Sequence, residues 1–196
     1  MRIFSIRLLI CYLSILTLCV SDSLFAEIEW VKLSWRPESC PPNCYPVLER
    51  RLQRIPGVKA LKMNFVDGEA LLKWKPKVPY DDRSVRTAVA WVGLGLRNVH
   101  IKLRGLIEHD RHNTFIVSIG DETKLRLATP VKPEEGKYIV RGANLQQPLD
   151  PEMKLRLHKA EGEEEVVVIE GLLYQPYRPP IQLIIEEVSY ANEWKI

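Results

Sequence analysis

The residues of this chain best suited to chemistry are Cys40 and Cys44, spaced Cys-x-x-x-Cys with Pro41-Pro42-Asn43 between them. Two thiolates beside a helix N-terminus suit Cu(I) or Hg(II), because soft ligands select soft metals. The helix dipole and nearby Arg36 favour the thiolate form. The same pair can close a disulfide if its Cα atoms come within about 7 Å, and Pro41-Pro42 stiffens such a loop. Three uses stay open on the residues alone: a structural disulfide, a soft-metal site, or free redox-active thiols. An exported, oxidising compartment leans toward the disulfide. The redox use has the least support, since nothing here looks like a thioredoxin-type Cys-x-x-Cys in its sheet context.

The second cluster is His109-Asp110-Arg111-His112, in an expected hairpin turn. His-x-x-His with a carboxylate offers zinc ligands, but a closed zinc site needs four. His100 and His158 are expected on strands, as packing or surface residues. There is no nucleophile elbow, P-loop or dinucleotide fingerprint, so the chain reads as non-enzymatic.

The elements that must hold Cys40 and Cys44 follow from periodicity. Residues 29–35 alternate, with Val31, Leu33 and Trp35 on one side, and predict a strand. Pro46 fits the first turn of a helix. Val47, Leu48, Leu52 and Ile55 form its apolar face, and Pro56-Gly57 stops it. Residues 58–65 and 69–74 read as a hairpin around Asp67-Gly68. Asp81 or Asp82 caps a second helix with Val85, Ala88, Val89 and Val92 inward. Residues 98–103 make a fourth strand. The order β-α-β-β-α-β is the ferredoxin-like pattern. Trp30, Trp35 and Trp74 are expected in the core or on the sheet face. Trp91 lies off the apolar face of the second helix, beside Arg83 and Thr87, as a partner contact or a packing residue. Arg50, Arg51, Arg54 and Lys59 form a basic rim that suits an anionic surface or is simply solvated.

Cys44, the helix after it, and Gly57-Val58 thirteen residues on resemble the heavy-metal-associated domain family of copper chaperones, metal-pump domains and mercury scavengers. The resemblance covers residues 29–104. It implies a βαββαβ fold and a two-cysteine metal site at the head of the first helix. Two positions depart from the pattern. The family's first cysteine falls at Pro41, with Cys40 one residue earlier, and its methionine is replaced by Glu38. Cys40 and Cys44 thus mark either an inherited site for Cu(I) or another soft ion, or a disulfide that has taken its place.

Beyond Arg104 the pattern becomes all β. Strands are expected at 102–108, 114–119, 124–128, 137–142, 153–158, 166–173 and 182–189, separated by turn signals at 120–121, 133–136, 148–151, 161–162 and 176–180. Short strands at this spacing argue a small barrel or sandwich. Interior glycines, as in Tyr138-Ile-Val-Arg-Gly142 and Val168-Ile-Glu-Gly171, mark bulges or tight coiling. This half looks like an OB-fold barrel. The expected fold class is therefore α+β, a βαββαβ sandwich over 27–104 followed by an OB-like barrel over 105–196, with no more than three linker residues around Arg104.

Residues 1–26 read as a signal peptide, with Arg2 and Arg7 ahead of an apolar run at 8–20 that is short of the about 20 residues a membrane span needs. Cleavage is expected near Ser23 or Ala26. A retained anchor and a lipidated Cys19 are the alternatives. Cleavage would remove Cys11 and Cys19 and leave no transmembrane segment. Residues 27–104 carry 15 Lys+Arg against 8 Asp+Glu, and residues 105–196 carry 11 against 16. The two halves can attract each other or face different partners. The acidic second half disfavours nucleic acid, whose phosphates want the opposite charge. The expected function is an exported, periplasmic or envelope-associated binding protein, or a secreted one, whose partner is another envelope protein. The rival readings are an interaction or structural module without metal, and an OB-type oligosaccharide or oligonucleotide binder.

Overall fold

The computed structural model describes residues 28–130, 146–174 and 179–190. The expected leader and the expected strand at 137–142 lie outside the described residues, as do the turn residues 133–136 and 176–178. The fold is α+β and includes a closed five-stranded barrel. It runs β1 (Ile28–Ser34), α1 (Tyr45–Gln53), β2 (Val58–Asn64), β3 (Glu69–Trp74), α2 (Asp82–Ala90), β4 (Asn98–His109), β5 (Thr114–Val117), β6 (Lys124–Pro130), β7 (Gln146–Gln147), α3 (Pro151–Gly162), β8 (Val167–Tyr174) and β9 (Gln182–Tyr190). A short 3-10 turn, Pro37–Ser39, separates β1 from α1.

The alternation in β1 puts Val31, Leu33 and then Trp35 inside, each at most 1% exposed. β1 pairs antiparallel with β3 and β4, and β2 pairs with β3, giving the order β2-β3-β1-β4. In α1, Pro46 sits in the first turn and Leu48 and Leu52 are fully buried. Each of those leucines contributes roughly 1.5–3 kcal/mol by leaving water. Val47 was expected on the same face, but it is 42% exposed. It precedes Leu48 by only one residue, about 100° around the helix, which carries it off the Leu48–Leu52 stripe. α2 begins at Asp81, whose carboxylate accepts from the backbone N–H of Arg83 and Ser84 at 3.0 and 3.2 Å. Val85, Ala88 and Val89 are buried beneath it, and α1 packs on α2 and β2.

β4 organises the molecule. Its 12 residues alternate without a break, Val99, Ile101, Leu103 and Ile107 inward. Residues 100–103 pair with β1 on one edge and β8 on the other, and residues 106–109 pair with β5. Arg104, expected beside a linker, is thus mid-strand. The two expected strands at 98–103 and 102–108 are one strand that serves both sheets. The barrel closes in the order β4-β5-β6-β9-β8-β4, with β6 and β9 parallel and the other pairs antiparallel. Two glycines permit its tight coiling. A Cβ on Gly105 would lie 2.5 Å from the Val117 carbonyl oxygen, and one on Gly171 would lie 2.0 Å from that of Ile184. The register between β8 and β9 shifts at Glu170/Gly171, as the interior glycine had suggested.

One apolar cluster runs through both halves, from Leu48 and Leu52 through Ile101 to Leu125, Leu157 and Leu183. The outer face of β4 adds polar pairs between the basic and acidic halves: His100 with Glu186 at 3.3 Å and Lys102 with Glu170 at 3.8 Å. Residues 153–158, expected as a strand, lie in α3. The apparent alternation of Met153, Leu155 and Leu157 is misleading. Leu155 is 70% exposed, while Met153, Leu157 and Ala160 form the inward stripe at helical spacing. Asp150 caps this helix through the backbone N–H groups of Glu152 and Met153, and Pro151 occupies its first turn. Glu161-Gly162, expected as a turn, closes the last turn of α3.

Candidate functional site

The 3-10 turn leads into Cys40, whose N–H donates to the Pro37 carbonyl at 3.0 Å. Cys44 caps α1, with its carbonyl accepting from Leu48 N–H at 2.9 Å. The two sulfurs are bonded, with Cα atoms 5.6 Å apart. Pro41, Pro42 and Asn43 face solvent, while Cys40 and Cys44 are 2% and 8% exposed and join the core. In this state the pair offers neither a nucleophile nor a thiolate ligand. Metal chemistry at Cys40 and Cys44 requires reduction first.

The basic rim divides. Arg50 and Arg54 are exposed, but the Arg51 guanidinium lies 3.7 Å above the centre of the Trp91 ring, and its Nε is buried without a hydrogen-bond partner. Arg51 comes from the last turn of α1 and Trp91 from the C-cap of α2. Between the helices is a cleft of about 330 Å³. Arg51, Arg54, Arg83 and Trp91 border it, Ile55 and Ala88 contribute apolar surface, and none of its lining residues is acidic. Trp91 is 66% exposed, the largest such side chain among the described residues. Among the described residues, Trp35 and Trp74 are buried and Trp30 is half-buried on the sheet, as expected.

The His-x-x-His motif, too few ligands for a closed zinc site, does not gather as one cluster: among the described residues His109 joins His158 and Glu161 without His112. Asp110 turns the loop by accepting the backbone N–H groups of His112 and Asn113 at 2.7 and 2.6 Å, leaving His112 exposed. His109 instead meets α3. Its Nδ1 is 2.7 Å from Glu161 Oε2, and its backbone N–H donates to Glu161 Oε1 at 2.9 Å. His158 Nδ1 reaches the same Oε2 at 3.1 Å. Burial works to raise the Glu161 carboxyl, but the His109 N–H, the His109 charge and the two imidazole hydrogen bonds outweigh it and hold it below the usual carboxylate range. The alternation around His158 predicts a strand and so hides this trio, whereas His158 lies in α3. The available signal was Asp150-Pro151, a helix start that puts His158 and Glu161 one turn apart on α3.

Among the described residues no helix is long and apolar enough to cross a membrane. No protein-family model matches the chain, and no curated protein and no solved structure is significantly similar to it.

Proposed function

We propose that this chain is a non-enzymatic interaction protein of the cell envelope, and that it docks an acidic polypeptide segment in the cleft between α1 and α2. The observation that carries the reading is the exposed Trp91 with Arg51 stacked on it and Arg54 and Arg83 on the same cleft. Exposed tryptophan and arginine are the side chains that most often anchor a partner. Arg51 is already ordered on the ring, which lowers the entropy lost when a carboxylate arrives. The absence of acid from the lining makes the cleft complementary to Glu and Asp.

In this reading the first half is a ferredoxin-like, heavy-metal-associated-like module in which the Cys40–Cys44 bond has replaced the metal. The β2-β3-β1-β4 order, with α1 and α2 in their expected places, supports it. The second half is an OB-like barrel. Its support is five closed strands with one helix between the third and fourth. The acidic balance of that half weighs against an oligonucleotide ligand. A second reading rests on the adjacency of the sulfurs: reduction would free two neighbouring thiolates at Cys40 and Cys44 for Cu(I).

Fluorescence titration with a polyglutamate peptide at low ionic strength separates these. The first reading expects a salt-sensitive change in emission that is absent in Trp91→Phe and weakened at least about tenfold in Arg51→Gln/Arg83→Gln, a loss of about 1.4 kcal/mol. No response in the native protein, or an equal response in both variants, removes it. The second reading requires reduced protein to hold Cu(I) against a competing chelator and Cys44→Ser to lose that capacity. Response to anionic vesicles and not to peptide would make the cleft a membrane contact instead.

A further inference from the structure

His109 ends β4, while His158 and Glu161 sit one turn apart on the face of α3 that meets β4. Their ligand atoms all lie within 4.8 Å of one another. The two imidazoles stand edge-on, with ring centres 4.9 Å apart and planes at 84°, so both direct nitrogen toward one carboxylate. The trio joins residues about 50 positions apart, and no residue of the α1–α2 cleft takes part.

We propose that His109, His158 and Glu161 form a binding site for a divalent first-row cation, with Zn²⁺ the natural occupant. Zinc–nitrogen and zinc–oxygen bonds of about 2.0–2.2 Å put tetrahedral ligands roughly 3.3 Å apart. The present His–Glu separations of 2.7 and 3.1 Å reach that with movements of a few tenths of an ångström. Two imidazoles and one carboxylate suit zinc and disfavour Mg²⁺ or Ca²⁺, which prefer all-oxygen shells. The fourth position falls to water, because His158 is 68% exposed and the trio is open on that side. The carboxylate is oriented in advance by the His109 backbone N–H on its other oxygen. With Nδ1 on the cation the His109 ring proton sits on Nε2, which is buried with no hydrogen-bond partner, so the ring is held by Glu161 and the ion alone. Binding would clamp α3 to the end of β4, where that strand turns into its hairpin with β5.

The test is a Zn²⁺ titration of tag-free, disulfide-intact protein by calorimetry, repeated with Co²⁺ as a spectroscopic probe. The expected result is one ion per chain, a melting temperature raised by roughly 5–10 °C at a hundredfold excess over Kd, and cobalt absorption of four-coordinate intensity. Affinity should fall at least about tenfold in His158→Ala and in Glu161→Gln and be unchanged in His112→Ala. His158 is solvent-facing, so its replacement leaves the fold intact and keeps the test decisive. Absent one-to-one binding, equal affinity in His158→Ala, or equal affinity for Mg²⁺ would each overturn the proposal.

Discussion

Reducing the bond between Cys40 and Cys44 is a perturbation whose size follows from the chain itself. The cysteines are four positions apart, so the closed loop is among the shortest a protein makes. Opening a loop of about five residues returns roughly 2 kcal/mol of conformational entropy to the unfolded chain at 25 °C. The packing cost is small, because both sulfurs stay in the core as compact apolar groups. A chain of this size loses about 2–4 °C of melting temperature per kcal/mol, so the expected drop is about 4–8 °C. The assay is a pair of melting curves, with and without reductant, on samples whose intact masses differ by two hydrogens. The loss should appear first as faster amide exchange in the opening turn of α1, which Cys44 caps. Coincident melts in samples of verified redox state would refute the reasoning, and so would a native mass with both thiols free.

Asp81→Ala should cost about 1 kcal/mol by removing the cap of α2. The Ser84 hydroxyl and the Ser84 and Arg83 N–H groups hold the Asp81 carboxyl below its ordinary value against the opposing effect of burial. Its folded pKa is thus below its unfolded one, so its stabilisation is present above about pH 4 and is lost as pH falls through the folded value. Urea titrations at pH 6 and pH 3 should show the mutant and native curves converging at the lower pH. Gly171→Ala places a Cβ against the Ile184 carbonyl and should destabilise the barrel by about 1–3 kcal/mol. A Gly171→Ala protein with an unchanged denaturation midpoint would contradict the close approach of β8 and β9 at the bulge.

How far the fold could be read in advance depended on whether local pattern and tertiary demand agreed. β1, α1, α2 and the turn at Asp67-Gly68 were legible, because apolar period, caps and breakers point the same way at each. Residues 153–158 were not, because Met-Lys-Leu-Arg-Leu-His carries both a twofold and a helical pattern, and only burial shows that Leu155 is idle. The continuity of β4 is hidden by the change of pattern around Arg104, which reads as a linker between two modules; in space Gly105 permits the same strand to approach Val117 closely. Arg51 and Trp91 were visible separately, as a basic rim and an off-face aromatic. Their stacking needed the packing of α1 on α2. The trio of His109, His158 and Glu161 depends on a contact across the barrel's end, which no local spacing encodes.

The central claim is that the α1–α2 cleft is the working surface, and backbone amide NMR during titration with a glutamate-rich peptide tests it most directly. The account predicts salt-sensitive shifts confined to Arg51, Arg54, Arg83, Trp91 and their neighbours, with β5, β6 and the Cys40–Cys44 loop unmoved. Shifts centred on the barrel strands, or none at concentrations that saturate a weak site, would contradict it.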